Sequence, residues 1–325
     1  MVKPKEVAVV IPSWNTLAFL PACVESVRGQ EGDPELLVVD NGSSDGSVEW
    51  LREHEVPHLS LPENLGFAAA VNLGARRTAA PAVLALNADT VLAPGCLAPL
   101  LAALQSDPSL GGVQPRILQG EGDGLGGTGA TRLEDARVYS AGQALTRDGR
   151  AYELGAGEPQ RPGHLERREV FGVCGAACLL RRELFDRLGG YDESYFAFYE
   201  DVDLNMRARI AGWRFEYVPE AVVWHAGNAA WASGFERPSA ENAKLVARNR
   251  LATQLKFMPA GVAPRIAAVE LGALARAARE RRFLATLRGK LAALPWLPRL
   301  LRERRSLRRE GEPALARRWL GRVAR

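Results

Sequence analysis

Polar side chains follow three apolar segments in the first third of the sequence, and their types suit a ligand or a cation. These residues are Pro12-Ser13, Asp40-Asn41 and Asn87-Ala88-Asp89. An Asp at the end of a strand can also be a turn former or a helix cap, and this alternative applies to Asp40 and Asp89 taken singly. The recurrence of polar residues at all three segment ends favours a binding site.

A second group of reactive side chains lies further along, in Glu200-Asp201-Val202-Asp203 and at His225. Three carboxylates in four residues repel one another. They suit the start of a helix, where the helix dipole favours negative charge, or they include a general base near a metal. Arg181, Arg182 and Arg207 either balance this negative cluster or lie on a solvated face. A lone His after an apolar strand is more often structural than a ligand.

The elements that must position these residues alternate between strands and helices. The segments 7–11, 36–39 and 82–86 are apolar at every position, which is typical of parallel strands buried on both faces. Helix-like segments lie between them, at about 16–29, 45–53 and 66–79. This alternation predicts an α/β fold whose ligands bind at the carboxyl ends of the strands.

The remainder of the sequence divides into three stretches. Residues 119–168 are rich in Gly and charge and predict loops and short hairpins. An ordered block follows, with a strand at about 170–180, helices at 182–188 and 200–211, and strands at 214–218 and 221–225. From about residue 238 the pattern is helical. The run Gly124–Gly129 matches G-x-G-x-x-G, but no strand precedes it, so we expect a loop rather than a dinucleotide site.

Charge is unevenly distributed, although the net charge is only +4. Residues 262–325 carry 17 basic and 5 acidic side chains, whereas residues 1–261 carry 25 basic and 33 acidic ones. Leu284, Leu287, Leu291 and Leu294 recur at helical spacing among cations. This pattern suits a helix lying on an anionic membrane surface, or one packed on the body with its Arg residues in water. No nucleic-acid-reading motif is present, and no nucleic-acid partner is expected.

The four cysteines are too few and too scattered for a disulfide framework, and we expect buried free thiols. The N-terminal apolar run is too short for a signal peptide, and no stretch reaches the roughly 18 apolar residues of a membrane span. We therefore expect a cytoplasmic protein, with peripheral attachment to the inner face of the cytoplasmic membrane if the basic tail binds lipid.

Several segments together resemble one known family. They are VAVVIPSWN, LLVVDNGSSDGS, ENLGFAAAVNLG, LALNADT, CGAACLLRRELFDRLGGYDESYFAFYEDVDLNMRARIAGW and VVWHAG. In this order, over about residues 6–257, they resemble the family 2 inverting glycosyltransferases, closest to the rhamnosyltransferase-like branch. The resemblance implies a GT-A fold, with a Rossmann-like, mostly parallel sheet flanked by helices. A basic helical extension would follow at the C-terminus.

The family's functional residues can be carried over by position. The resemblance implies metal ligands Asp89 and His225, a catalytic base Asp201, and a donor set of Pro12, Ser13, Asp40, Asn41, Asn64, Gly66, Asn72, Asn87 and Asp89. Within the carboxylate cluster Glu200 or Asp203 is the alternative base, and Asp203 and Gly175 are candidates for acceptor contacts. Asn87 stands where the family's Asp-x-Asp motif has its first Asp, so one carboxylate is lost. The implied cofactor is a divalent cation, Mn²⁺ or Mg²⁺.

The implied reaction moves a sugar, with rhamnose as one candidate, from a dTDP-, UDP- or GDP-linked donor to a hydroxyl of a glycan or lipid-linked glycan. Such transfers build cell-surface polysaccharide or glycolipid. The alternative is a catalytically silent nucleotide-sugar or glycan-binding protein, which Asn87 favours. We expect a nucleotide-sugar half at 1–118, an acceptor and catalytic half at 119–240, and a basic helical extension at 241–325.

Overall fold

A mixed sheet lies at the centre of the protein. The computed structural model describes residues 5–120, 133–227 and 239–310. Within these residues the strands are β1 (Val7–Ser13), β2 (Glu35–Asp40), β3 (His58–Ser60), β4 (Ala82–Leu86), β5 (Thr90–Leu92), β6 (Leu110–Gln119), β7 (Val138–Ser140), β8 (Gln143–Leu145), β9 (Ala151–Glu153), β10 (Arg168–Val170), β11 (Ala177–Arg181) and β12 (Arg214–His225). Strands β8 and β9 form a separate antiparallel hairpin.

Helices cover the sheet and continue beyond it towards the C-terminus. They are α1 (Leu20–Arg28), α2 (Ser47–Glu53), α3 (Phe67–Arg77), α4 (Leu97–Ser106), α5 (Arg182–Arg187), α6 (Glu200–Ile210), α7 (Ala240–Phe257), α8 (Ala263–Arg279), α9 (Phe283–Ala293) and α10 (Leu297–Glu310). Ser239 caps the N-terminus of helix α7: its Oγ accepts a hydrogen bond from the backbone N–H of Asn242 at 3.1 Å.

The strand order is β10-β12-β6-β11-β4-β1-β2-β3, with β5 paired to β12 and β7 paired to β6. The sheet is parallel from β4 to β3 and between β6 and β12, while β11 is antiparallel to both of its neighbours. Strands β1 and β4 are apolar at nearly every position because α1 and α4 cover one face of the sheet and α3 and α5 cover the other. The predicted α/β sheet flanked by helices is therefore confirmed, as is the helical C-terminal part.

Some element predictions were wrong in detail. The single strand expected at about 170–180 is two strands, because β10 pairs with β12 at the edge of the sheet whereas β11 pairs with β6 and β4 inside it. The two strands expected at 214–218 and 221–225 are one, β12, whose pairing with β6 is irregular between Val218 and Val222. The short hairpins expected in 119–168 are present as β7 to β9, whereas the Gly124–Gly129 motif lies outside the described residues.

The four cysteines are buried and unpaired, as expected. Burial raises the pKa of the Cys23 and Cys178 thiols to about 12, which keeps both uncharged. Among the described residues, none of the helices is both long enough and apolar enough to cross a membrane.

The C-terminal helices pack on the body of the protein. Lys256 on α7 reaches Asp203 on α6, with Nζ 2.7 Å from Oδ1, and the same ammonium lies 2.8 Å from Glu303 of α10. The Trp296 ring lies between the guanidinium groups of Arg248 and Arg299. The extension is thereby joined to the helix that carries the three clustered carboxylates.

Candidate active site

A cavity of about 770 Å³ opens at the carboxyl ends of β1, β2 and β4, where the parallel-strand rule places ligands. Its wall includes seven of the residues predicted for the donor: Pro12, Ser13, Asn41, Asn64, Gly66, Asn87 and Asp89. Further wall comes from the 196–198 loop and from the first turns of α7. The volume suits a ligand of the size of a nucleotide sugar.

Two residues predicted for the donor do not line this cavity. Asp40 is buried behind it, where its Oδ1 accepts hydrogen bonds from Gly42 N and Ser43 N. Its Oδ2 is also buried and has no hydrogen-bond partner among the described residues. Asn72 bonds instead to Tyr191, donating to the carbonyl at 2.8 Å and accepting from the N–H at 2.9 Å, so its amide holds α3 to the 190–193 turn.

Gly66 brings the backbone at the start of α3 against the 196–198 loop. Its φ is +91°, and a Cβ there would overlap the backbone of Phe196, so only glycine fits without movement. The amides of Asn64 and Asn41 hold this turn, accepting from Gly66 N and donating to Gly66 O respectively. This packing brings the donor-side loop and the loop preceding α6 into one wall.

Asp89 and His225 meet at one end of the cavity. Strands β5 and β12 pair here, with Thr90 opposite His225, and Asp89 Oδ1 lies 3.1 Å from His225 Nε2. The Asn87 carboxamide lies 3.4 Å from the same ring nitrogen. Both Asp89 and His225 are buried, and the ring of Tyr139 packs edge-on against the imidazole with centroids 4.3 Å apart.

This group of side chains fits a divalent cation. It offers a carboxylate, an imidazole and a carboxamide, which are oxygen and nitrogen ligands of kinds that Mn²⁺ accepts. Nε2 of His225 is the ring nitrogen that would share a cation with Asp89, because it faces Asp89 Oδ1 and the Asn87 carboxamide. Nδ1 lies on the other side of the ring, where it is buried and has no hydrogen-bond partner among the described residues.

Asp201 is held by three N–H donors at the start of α6. Its Oδ2 accepts from Gly175 N at 2.9 Å and from Gln143 Nε2 at 2.8 Å, and its Oδ1 accepts from Val202 N at 2.7 Å. Burial raises its pKa, while these three donors act in the opposite direction because they favour the carboxylate. Gly175 therefore contacts the predicted base directly.

The neighbouring carboxylates have different surroundings. Burial and then the charge of Asp201 raise the pKa of Glu200 well above its usual range, and Glu200 Oε2 is buried without a hydrogen-bond partner among the described residues. Asp203 instead pairs with Arg207 and Lys256. Burial opposes its ionisation, but these two cations outweigh it and lower the pKa of Asp203.

Three arginines were interpreted either as balancing the carboxylate cluster or as lying on a solvated face, and of these Arg207 contacts the cluster. Arg181 donates to the backbone carbonyls of Leu104, Asp107 and Leu110, and Arg182 donates to those of Ala75 and Ala80. Neither interpretation describes Arg181 and Arg182, because both side chains tie strand β11 and helix α5 to helices α4 and α3 and the residues that follow them.

A fourth carboxylate near Asp201 was missed from the sequence. Glu153, at the end of β9, lies with Cys174 and Asp201 so that one ligand atom of each falls within 4.8 Å of the others. Burial, and then the charge of Asp201, raise the pKa of Glu153 to about 7. Glu153 and Gln143 come from the aperiodic 119–168 stretch, and nothing in their spacing could have pointed to them.

The fold is that of the GT-A glycosyltransferases, and comparison with known proteins gives the family. The model of "Glycosyl transferase family 2" matches residues 8–189. The chain belongs to this family.

Named relatives have several sugar specificities. The chain is 33% identical over 215 residues to the N-acetylglucosaminyl-diphospho-decaprenol L-rhamnosyltransferase of Mycobacterium tuberculosis (strain CDC 1551 / Oshkosh), a match that covers 58% of this chain and 66% of that protein. It is 29% identical to an N-acetylglucosaminyltransferase of Rhizobium sp. (strain N33), covering 67% of this chain and 47% of that protein. The chain thus spans less than two thirds of the length of each of these relatives.

Solved structures share the fold at low identity. A structure of GalNAc-T7 with UDP, GalNAc and Mn²⁺ has a TM-score of 0.60 at 18% identity, covering 80% of this chain and 49% of that one. The mannosyltransferase PcManGT from Pyrobaculum calidifontis, in complex with GDP-Man and Mn²⁺, has a TM-score of 0.51 at 18% identity, covering 98% and 88%.

Proposed function

We propose that this chain is an inverting glycosyltransferase that moves a sugar from a nucleoside-diphosphate donor to an acceptor hydroxyl. The observation that carries the proposal is the contact between His225 and Asp89, which lines the end of a nucleotide-sized cavity. Tyr139 relates this contact to Asp201, which does not itself line the cavity. The Tyr139 ring packs on His225, and burial, followed by charges that include those of Asp89 and Asp201, raises the pKa of its phenol.

In this proposal the cavity binds the donor. Ser13 and Asn41 lie at the ends of β1 and β2 and contact the nucleoside, while Asn64 and Gly66 line its sugar and diphosphate side. Asp40 shapes the 40–43 turn behind this wall. Asp89 and His225 would hold a divalent cation, with Mn²⁺ favoured by the imidazole. Asn87, whose Nδ2 faces His225 in this structure, would add a neutral oxygen ligand if its carboxamide turned over.

Asp201 is the better base of the neighbouring pair. The three N–H donors on its carboxylate favour the ionised form, whereas Glu200 lacks such donors on Oε2, and burial and then the charge of Asp201 raise the pKa of Glu200 well above its usual range. A base must be unprotonated before it can accept a proton, so Glu200 is the poorer candidate. Gly175 contributes its backbone N–H, which donates a hydrogen bond to the Asp201 carboxylate.

The reaction is a single displacement. Asp201 takes the proton of the acceptor hydroxyl while that oxygen bonds to the anomeric carbon from the face opposite the diphosphate. The bond from the anomeric carbon to the diphosphate oxygen breaks, and the configuration at that carbon inverts. A bound divalent cation supplies positive charge that stabilises the departing diphosphate.

The test is release of nucleoside diphosphate by the full chain with dTDP-, UDP- and GDP-sugars and Mn²⁺. Asp201→Asn is expected to lower kcat by a factor of about 10² to 10⁴, the usual contribution of general base catalysis. Asp186→Asn, an exposed position on α5, is the matched control and should retain full activity. Full turnover by Asp201→Asn would refute the assignment of the base.

Cation binding has a readout that does not depend on activity. Mn²⁺ binding, measured by calorimetry with nucleoside diphosphate present, should weaken in His225→Gln and in Asp89→Asn. The exposed His54→Gln is the control and should bind Mn²⁺ like the wild type. Unchanged Mn²⁺ binding in His225→Gln and Asp89→Asn would show that these two residues do not hold the cation.

One alternative has support from a particular residue. Asn87 supplies no charge where a carboxylate would strengthen the cation site, which favours a protein that binds nucleotide sugars without turnover. A donor that raises the melting temperature but is never consumed, with any glycan or lipid-linked acceptor, would support this alternative.

The proposal extends to the acceptor and its location. A lipid-linked glycan is the favoured acceptor class because α9, α10 and the 3-10 turn Leu294–Trp296 between them carry exposed apolar side chains, Leu284, Leu291, Leu294 and Leu301. Arg288, Arg302 and Arg305 are exposed on the same helices. The opposite side of α9 is buried against the body, so the exposed leucines are free to lie on the inner face of an anionic membrane.

Vesicle co-sedimentation tests this surface. Each Arg near an anionic surface contributes about 1 kcal/mol to the free energy of membrane binding. The full chain should therefore pellet with phosphatidylglycerol-containing vesicles and not with neutral ones. Leu291→Gln with Leu294→Gln should reduce pelleting, while Leu165→Gln, an equally exposed Leu at 55%, should not. Equal pelleting of all three proteins would remove the membrane proposal.

A further inference from the structure

The hairpin β8–β9 brings a buried amide and a carboxylate to the predicted base. Gln143 and Glu153 are directly opposite each other in the hairpin pairing. The Gln143 Nε2 group lies 2.9 Å from Glu153 Oε1 and 2.8 Å from Asp201 Oδ2. An amide nitrogen carries two hydrogens, so one side chain can donate to both carboxylates at once.

The orientation of the Gln143 amide is fixed by its other end. Asn205 Nδ2 donates to Gln143 Oε1 at 2.8 Å and to the carbonyl of Val173 at 2.9 Å. Because the oxygen of Gln143 already accepts from Asn205, its nitrogen must face the two carboxylates. Gln143 is almost fully buried, at 2% exposure, and cannot exchange these partners for water.

The second oxygen of Glu153 is also held by a donor. Ser140 Oγ accepts hydrogen bonds from Gln114 Nε2 and Gly142 N, so its own hydrogen points at Glu153 Oε2. Each carboxylate oxygen of Glu153 thus receives a hydrogen bond. N–H and O–H hydrogens directed at these oxygens suit two neighbouring carboxyl groups better than a cation at Glu153, Cys174 and Asp201.

We propose that Gln143 and Glu153 are positioning residues for Asp201: Gln143 fixes Oδ2 of the base, and the charge of Glu153 strengthens the base as a proton acceptor. This inference rests on the proposed function. When Asp201 takes the acceptor's proton, one negative charge leaves the pair, and the remaining carboxylate of Glu153 stabilises that product. Two like charges at close range favour protonation of one of them.

The titration of Glu153 supports the geometry. Its pKa is raised to about 7, first by burial and then by Asp201, and it is lowered in part by Ser140 and Gln143. The other titratable groups of this region are Cys174, Tyr139 and Glu200, and burial raises the pKa of each. Glu153 changes charge near neutral pH, and because it interacts with Asp201 the pair titrates as a unit.

The test compares full-length wild type, Glu153→Gln and Ser140→Ala over pH 5 to 9, with kcat, KM and donor affinity measured at each pH. The wild-type kcat is expected to rise through an inflection near pH 7. Glu153→Gln should lose this inflection and fall about tenfold in kcat at pH 8, the effect of about one unit in base strength. Ser140→Ala should move the inflection to higher pH because Glu153 loses a donor. Donor affinity should stay unchanged, since neither residue lines the cavity.

Stability gives a readout that needs no acceptor. The folded pKa of Glu153 lies above its reference value of 4.5, so the native state loses stability as pH rises from about 4.5 to 7. Glu153→Gln has no such group, and its free energy of unfolding should fall less over this range.

Two failures are distinguishable. An active wild type whose inflection and pH-dependent stability both survive in Glu153→Gln would overturn this inference and leave the proposed function standing. A wild type that never turns over contradicts the proposed function, while the stability comparison still decides whether Glu153 titrates beside Asp201.

Discussion

Asn249 on α7 is expected to hold the loop that joins the donor cavity to the base. The side chain is fully buried, and its Nδ2 lies 2.9, 2.8 and 2.7 Å from the carbonyl oxygens of Tyr195, Ala197 and Phe198. Within this loop Phe196, Phe198 and Tyr199 have φ values of 66°, 68° and 70°. Such left-handed conformations cost about 1 to 3 kcal/mol each and persist only where surrounding contacts impose them.

Replacing Asn249 by Ala removes the side-chain N–H groups, so the three backbone carbonyls lose their hydrogen-bond donor. An amide group makes two strong hydrogen bonds at once, and each buried acceptor left unsatisfied costs about 1 to 3 kcal/mol. We therefore expect Asn249→Ala to lower the free energy of unfolding by about 3 kcal/mol. The nucleotide-sugar donor should also bind more weakly, because residues 196–198 line the cavity. The kcat should fall as well, because the loop ends at Tyr199, which directly precedes helix α6 and the proposed base Asp201.

Urea unfolding followed by tryptophan fluorescence measures the stability change, and calorimetry with nucleoside diphosphate measures the binding change. Lys244→Ala on the same helix is the control; it breaks only a surface pair with Glu241 and should cost under about 1 kcal/mol. A loss of less than about 1 kcal/mol in Asn249→Ala, with unchanged donor affinity, would refute the role of this amide.

Three further changes test other parts of the structure. Gly66→Ala is expected to weaken donor binding about tenfold in calorimetry, since a Cβ at positive φ costs about 1 to 2 kcal/mol and would push on Phe196. Lys256→Met should cost about 3 kcal/mol in urea unfolding, because it removes one partner of buried Asp203. The pKa of Asp203 is lowered in the folded state, so its ion pairs stabilise the protein above about pH 4; that stability is lost as the pH falls through the folded value, and in Lys256→Met the loss should begin at higher pH. Cys23, whose pKa burial raises to about 12, should resist a thiol reagent at pH 8 in native protein and react in urea, as read by mass spectrometry.

The parallel half of the sheet was predictable because its strands are buried on both faces. The apolar segments at 7–11, 36–39 and 82–86 lie within β1, β2 and β4. A short apolar run with turn residues at both ends is readily assigned as a buried strand. The polar residues that follow them meet at one cavity, because parallel strands end at the same edge.

Strand β6 could not be predicted because its sequence lacks this signal. It contains Gly111 and Gly112, where neighbouring leucine side chains fill the space that a Cβ would need. Gln114 is polar yet fully buried, since it bonds to Ser140 and to the backbone of Cys174. These residue choices follow from contacts with distant segments, which no local pattern records.

The same limit applies to the site. Ser13, Asn41 and Asp89 could be grouped because each follows a recognisable strand. Gln143 and Asn249 could not, because one comes from an aperiodic stretch and the other from the middle of a helix. Both act through backbone or carboxylate groups far away in sequence, and only the fold brings those partners within 3 Å.

At the start of helix α6, three carboxylates that are neighbours in the sequence have different surroundings in the structure. Successive residues turn by about 100°, so Asp203 lies nearly opposite Asp201, and it meets Arg207 and Lys256 instead of the cavity side. Glu200 is adjacent, but its Oε2 has no donor among the described residues, and its proton is therefore the harder one to lose. The three carboxyl groups thus differ in their surroundings: Asp203 is paired with cations, burial raises the pKa of Glu200 well above its usual range, and Asp201 receives three N–H donors that favour its carboxylate form. This division of surroundings, rather than the motif itself, is why we assign the proton transfer to Asp201.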